Sequence, residues 1–433
     1  YLIIIFYLSI KGYDKEKSDD SYFFSSFKTK TYQSYLSIFA TETSVATILI
    51  FPAVGYNKNF NIIFLCLGYI VGRIIVALFY LKYYHKISTL TLYEFLSTSD
   101  AKKFLSFAYL LAKYISGSVR FYLAGYGLYQ LTDISTGYWL LFILIIIAIY
   151  SLTGGLTSVI LTDVIQGLII LISSIFFIYF LGKENYALLI NLYKEINFDP
   201  QISLFLFFGG VLLTISSHGG DQDILQRVFS ISNLKEARKS LIISGFLASF
   251  VILIFVMVGY LLINHPLNAS SPLLDFINQL DHSIHSLIIK NIFLVILVAA
   301  AMSTLDSSIH STGAIWKSIF VDFNKNFSNY IYSLVSLIIM FFLSIFFIFL
   351  ESQKDFLSFA LGSMNYVNGT LFSVVTLFVL YRKKLNSITI LLILFSNIFI
   401  TALCEFYSLY FALTTVISFV GSFFVGWFFL NKK

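Results

Sequence analysis

Charge is scarce in this sequence. Asp, Glu, Lys and Arg make up 12% of its 433 residues, about half the share of a soluble domain, which excludes an ordinary water-soluble globule. Cysteine is scarcer still. Cys66 and Cys404 both sit inside apolar runs, so neither a disulfide framework nor a metal cluster is expected. No metal motif, nucleophile elbow or nucleotide loop is present, which leaves the enzyme classes without support. The six histidines are scattered, and His218 beside Gly219-Gly220 reads as a loop residue rather than a base. No large soluble domain, low-complexity segment or long linker interrupts the chain. Its net charge of +6 is therefore read by position, and neither nucleic acid nor an obligate protein partner is implied.

What the sequence has in abundance is apolar side chains, 58% of the total. Runs of about 20 such residues recur along its length, each long enough to cross a bilayer. The opening "YLIIIFYLSI" lacks a basic n-region or a small-residue cleavage site, and reads as the second half of a spanning helix whose start is missing. Counting that stub, residues 1–10, as span 0, the pattern predicts twelve more spans. They lie near 34–55, 60–81, 104–130, 138–153, 156–181, 202–219, 238–264, 287–315, 329–350, 355–381, 386–405 and 408–430. The chain is an all-α, multi-pass protein whose medium is the lipid bilayer.

Basic residues set its orientation. One set of alternate loops holds twenty, from Lys11 and Lys30 through Arg227 and Lys239 to Lys432 and Lys433; the other holds only Lys58, Lys183, Lys194 and Lys354. That bias places the C-terminus in the cytoplasm, in a cell (inner) membrane. Arg73, Lys113, Arg120 and Lys290 remain within or beside spans. Snorkelling to an interface accounts for the first two and the last, whereas Arg120 lies deeper.

Three polar clusters stand inside the spans. In span 1, "FATETSVATILIFPAVGY" packs Thr41, Glu42, Thr43, Ser44 and Thr47 ahead of Pro52 and Gly55. Two readings stand: a broken helix lining a cavity, or hydroxyls bonded back to their own helix with a kink at Pro52. Entering span 5, Gly154-Gly155 make a tight turn, after which Ser158, Thr162 and Gln166 form one stripe beside Asp163. The stripe fits interhelical hydrogen bonding; the carboxylate needs more. In span 8, "AAAMSTLDSS" puts Ala300, Ser303, Thr304, Ser307 and Ser311 on one face, flanked by Asp306. Packing explains the small residues but not a buried acid. Hydroxyls, freed carbonyls and carboxylates suit a hard cation such as Na⁺. A further segment, "GDQDILQR" after span 6, reads as a short amphipathic connector.

Taken in order, "ATETS", "TLYEFL", "TGGLTSVILTDVIQ", "GDQDILQR" and "AAAMSTLDSS" resemble the sodium:solute symporter family, which includes sodium–glucose, sodium–proline and sodium–sialic acid transporters. The resemblance implies a LeuT-type bundle of two five-helix inverted repeats, 34–181 and 202–381, with span 0 before them and 386–430 after. It also implies binding sites near the midplane at broken helices. It places a sodium ion between the carbonyls of Ala40, Thr43 and Ala300 and the hydroxyls of Ser303 and Thr304. Some members hold a second ion at the span 5 carboxylate, here Asp163, with Ser303, Asp306 and Ser307 around it. Asp306 stands where sialic acid transporters carry a serine, which leaves that second site altered, proton-linked or absent.

The implied activity is Na⁺-driven uptake of a small organic solute by alternating access. The solute would meet Glu42, Ser44 and Thr47. Arg120 either pairs with a solute carboxylate, favouring a sugar acid of the sialic acid kind, or pairs with Glu42 or another internal acid. The alternatives are a transporter-like solute sensor and a proton-coupled symporter of a neutral sugar or amino acid.

Overall fold

The computed structural model describes residues 1–13, 22–23, 29–85, 89–281, 283–321, 327–350 and 365–431. Lys15, Lys17, Lys28, Lys86, Lys325, Lys354, Lys432 and Lys433, like the start of span 10, lie outside them. Among the described residues, regular structure is helical, apart from isolated bridges such as that between Ser97 and Leu385. Eight helices are long and apolar enough to cross a membrane, and the bent pair Thr31–Glu42 and Val45–Tyr56 makes a ninth. The other expected spans correspond to Leu2–Tyr13, Ser99–Thr132, Thr136–Leu152 and Asn365–Tyr381.

Span 1 is broken, as its polar sequence suggested. Its halves meet at 66°, and the break falls at Thr43 and Ser44, where the backbone leaves helical angles. Pro52 lies further on, within the second half. Span 6 breaks as well. The helix Pro200–Gly220 stops at Asp221, whose side chain accepts a hydrogen bond from the Asp223 amide and caps a new helix, Gln222–Phe229. That segment is wholly buried; it is the far half of a broken span, not the connector expected. Each break frees backbone groups in the interior, a tolerable arrangement only where protein or a cavity satisfies them.

Two glycine features shape the surroundings. Gly155, at φ 59°, turns the chain between Thr136–Leu152 and Gly154–Glu184, and the Leu156 amide bonds the Tyr22 carbonyl there. Gly55 and Gly259 let the second half of span 1 touch span 7 backbone to backbone. A methyl at either would fall 1.7 Å from the Val256 carbonyl or 1.8 Å from that of Pro52. Small residues permit this approach where apolar burial gives helices no mutual attraction. In span 2, a π-helical turn at Val76–Tyr80 follows immediately on Ile62–Ile75, a distortion common beside functional side chains. Arg73 stands just before it.

Candidate functional site

The break in span 1 creates acceptors, and span 8 meets them. In an unbroken helix the Ala40 and Thr41 carbonyls would accept from the amides of residues 44 and 45. The Ser44 amide instead bonds the Glu42 carbonyl at 3.1 Å. Ala40 O then accepts from Ser303 Oγ at 3.0 Å, and Thr41 O from Thr304 Oγ1 at 3.2 Å. Both hydroxyls also reach Ala300 O, at 3.3 and 3.0 Å. Four of the five residues expected around sodium are thus brought together by direct contacts. Thr43 lies at the break itself, and Thr41 joins the group. The donor set is neutral oxygen throughout, which suits a hard monovalent cation.

The second cluster is built differently. Arg227 is fully buried, although its sequence position placed it among the cytoplasmic basic residues. Its Nη2 donates to Asp163 Oδ2 at 2.9 Å and also to Ser307 Oγ; Nε donates to Ser37 Oγ at 2.7 Å, and Nη1 to the Asp223 carbonyl at 2.7 Å. Ser37 in turn donates to Asp163 Oδ2 at 2.5 Å. Asp306 accepts from Tyr150 at 2.6 Å and from Ser307 at 3.2 Å. Asp163, Asp306 and Ser307 therefore do meet, but around a guanidinium, and only Asp163 Oδ1 is left without a donor among the described residues.

Above these clusters lies a cavity of about 340 Å³. Thr41, Glu42, Thr43, Ser44 and Thr47 line one side; Lys113, Ser116 and Arg120 of span 3 line another, with Arg73, His218, Asp221 and Asp223 completing the polar wall. Two of its cations are spoken for. Arg73 is buried, not snorkelling; it pairs with Glu42 Oε2 and donates through Nε to His218 Nε2 at 3.0 Å. Lys113, also buried, bridges Asp221 and Asp223 at 2.7 Å each. Tyr109 donates to both carboxylates, and Ser311 donates to Asp223. His218 is thus a buried partner of the ion pair rather than a loop residue. Arg120 is the exception. No hydrogen bond or ion pair joins it to another described side chain, and the expected internal partner, Glu42, belongs to Arg73.

The model of the sodium:solute symporter family matches residues 22–392. The chain belongs to that family. It is a Na⁺-coupled secondary transporter, and Na⁺ is its coupling ion. Among relatives of this symporter, the sodium/sialic acid symporter NanT of Aliivibrio fischeri is 26% identical over 75% of this chain and 69% of its own length. The sodium/sialic acid symporter SiaT of Proteus mirabilis is 24% identical over 73% and 69%. A sodium/iodide cotransporter of Homo sapiens is 24% identical over 48% and 35%. In structure, the symporter superposes on a Na⁺-coupled sialic acid symporter in a substrate-bound outward-open state with TM-score 0.86. That match covers 100% of this chain and 96% of the other at 19% identity. Mhp1, a nucleobase-cation-symport-1 transporter, matches at 0.64 over 94% and 92% with 12% identity. The symporter therefore has the LeuT-type fold.

Arg73, Lys113, His218, Asp221, Asp223 and Arg227 were not singled out as site residues by sequence. One signal was available. Arg73 falls in the middle of Ile62–Tyr84, too deep to reach an interface, and a carboxylate in span 1 needs a cation.

Proposed function

We propose that this symporter couples Na⁺ entry to uptake of an organic anion, a sugar acid of the sialic acid class. The observation that carries the reading is Arg120, a cation lining the cavity that makes no hydrogen bond or ion pair with another described side chain, while the acids that act on it, Asp221 and Asp223, are bridged by Lys113. A guanidinium cannot shed its charge by deprotonation, so a solute carboxylate is its natural complement. The names of the two bacterial relatives point to the same substrate class.

Na⁺ would sit between the carbonyls of Ala40, Thr43 and Ala300 and the hydroxyls of Ser303 and Thr304, with the Thr41 carbonyl added. The ion would then tie span 1 to span 8, and the solute would contact span 1 one turn further on, at Glu42, Ser44 and Thr47. Linkage follows: whatever factor Na⁺ adds to solute affinity, solute adds to Na⁺ affinity. At Asp163 the fixed cation Arg227 does the neutralising, while Asp306 is held by the Tyr150 and Ser307 hydroxyls, and this cluster serves as an internal brace. The cavity lining runs from the helix breaks out to Phe51 and Phe411, toward the face of the exposed Lys58–Glu195 pair.

Replacing Arg120 by Lys tests the substrate class. Lysine keeps the charge but loses the planar fork that binds a carboxylate through two parallel bonds. The half-saturating concentration of N-acetylneuraminate should rise about tenfold or more, with expression and Na⁺ activation little changed. Equal uptake by wild type and Arg120→Lys would return neutral solutes to consideration.

A further inference from the structure

Glu42 raises a question that the anion reading does not answer. A carboxylate beside a site for an anionic solute is out of place unless it reads a different part of that solute. Its Oε2 is held by the buried Arg73, and His218 Nε2 lies 3.3 Å away. Arg73 is fixed in turn: its chain lies against Gly245, where a methyl would come within 2.6 Å of Cδ. Ser217 hydrogen-bonds the other His218 ring nitrogen at 2.9 Å. Three helices thus lock one carboxylate in place. Its second oxygen, Oε1, is buried and accepts nothing among the described residues, although Glu42 lines the cavity.

We infer that Glu42 Oε1 is the acceptor for a hydroxyl group of the solute, with Arg73 and His218 as its positioning residues. A buried carboxylate oxygen without a donor is costly, and the cavity that Glu42 lines is where a solute would supply one. The charge on this wall decides which donor. Arg73 already neutralises Glu42, so an ammonium would gain little from the carboxylate and would face the guanidinium. An anion would face Oε1. A neutral O–H meets neither objection. The lining around it is of the same kind: Ser44, Thr47, Thr214 and Asn368 offer hydroxyl and amide groups. The cavity then has two functions on two walls, charge recognition at Arg120 on span 3 and hydroxyl recognition at Glu42 between spans 1, 2 and 6. The subsite selects hydroxylated acids over bare anions such as iodide and over amino acids. It rests on the anionic reading for its partner group, but not for its own chemistry.

The test uses the purified full chain in Na⁺, with thermal stabilisation as the readout and three probes: N-acetylneuraminate, cyclohexanecarboxylate and glucose. Wild type should respond to N-acetylneuraminate at a concentration about tenfold or more below that for cyclohexanecarboxylate, the ring acid without hydroxyls. The double variant Glu42→Leu/Arg73→Met removes both charges together and leaves neither one stranded. It should still be stabilised by Na⁺, which reports folding, and should lose most of that discrimination, while cyclohexanecarboxylate shifts less than about twofold. The single variant Glu42→Gln should narrow the ratio part-way. Arg120→Lys should weaken both acids alike. Equal responses of wild type to the two acids, or equal weakening of both in the double variant, would overturn the assignment. If neither acid stabilises wild type, the anionic reading fails instead, and glucose decides the present one. Stabilisation by glucose that disappears in Glu42→Leu/Arg73→Met upholds the hydroxyl site, and no response to glucose removes it.

Discussion

Asp163→Asn should destabilise the folded protein by about 3–5 kcal/mol, the cost of stranding one member of a buried ion pair. Arg227 has no route to solvent: its side chain and that of Asp163 are both fully buried. An acid that loses its partner can take up a proton, but arginine keeps its charge at any physiological pH. The amide oxygen of the substituted side chain would still accept a hydrogen bond from Ser37, so the loss is the charge and not the packing. Thermal unfolding of the detergent-solubilised protein reads this as a fall of several degrees in its midpoint. Removing both charges, Asp163→Asn with Arg227→Gln, should recover much of the fall, since replacing a buried pair as a unit costs far less than splitting it. A melting midpoint unchanged in the single variant would mean that Asp306 carries the balancing charge, and that Asp163 is free to serve an ion.

The second large effect is on sodium activation. Ser303→Ala and Thr304→Ala each delete one oxygen from the cluster that joins span 8 to the carbonyls of Ala40, Thr41 and Ala300. Small side chains are compatible with this close helix contact, so both variants should fold. What they lose is a ligand. Hydrogen bonds to charged groups are worth about 1.5–3 kcal/mol, and an oxygen–cation contact in the same range corresponds to a rise in half-activating Na⁺ of about tenfold or more. Solute affinity measured at saturating Na⁺ should be nearly unchanged, because the ion site is then filled in variant and wild type alike. Wild-type Na⁺ activation in both variants would place the ion elsewhere.

The parts of this architecture that follow from local chemistry were legible in the residues. Apolar run length gave the spans, Gly154-Gly155 marked the turn between two of them, and crowded hydroxyls in "ATETS" left a broken helix as one of two readings. Those signals are local because a bilayer penalises unsatisfied backbone wherever it occurs. Partnerships between charges were not legible, because they depend on which helix faces which. Snorkelling was a reasonable account of Arg73 and Lys113 taken singly, yet each finds its acid more than 30 residues away in sequence. Arg227 misled most. Four residues past Asp223, in a stretch rich in polar side chains, it read as the edge of a cytoplasmic loop. The capping geometry at Asp221 turns that stretch back into the protein, where its guanidinium meets span 5. The resemblance supplied the proposed sodium ligands, but the structure supplies the reason they would be available, a break that leaves the Ala40 and Thr41 carbonyls without amide partners.

The most direct test of the central claim is uptake of radiolabelled N-acetylneuraminate into proteoliposomes containing only this protein. An inward Na⁺ gradient should drive transient accumulation above the external concentration, choline in place of Na⁺ should abolish it, and collapsing the gradient should release the solute. Uptake that ignores the Na⁺ gradient, or no uptake of this acid while a neutral sugar or amino acid accumulates, would contradict the account.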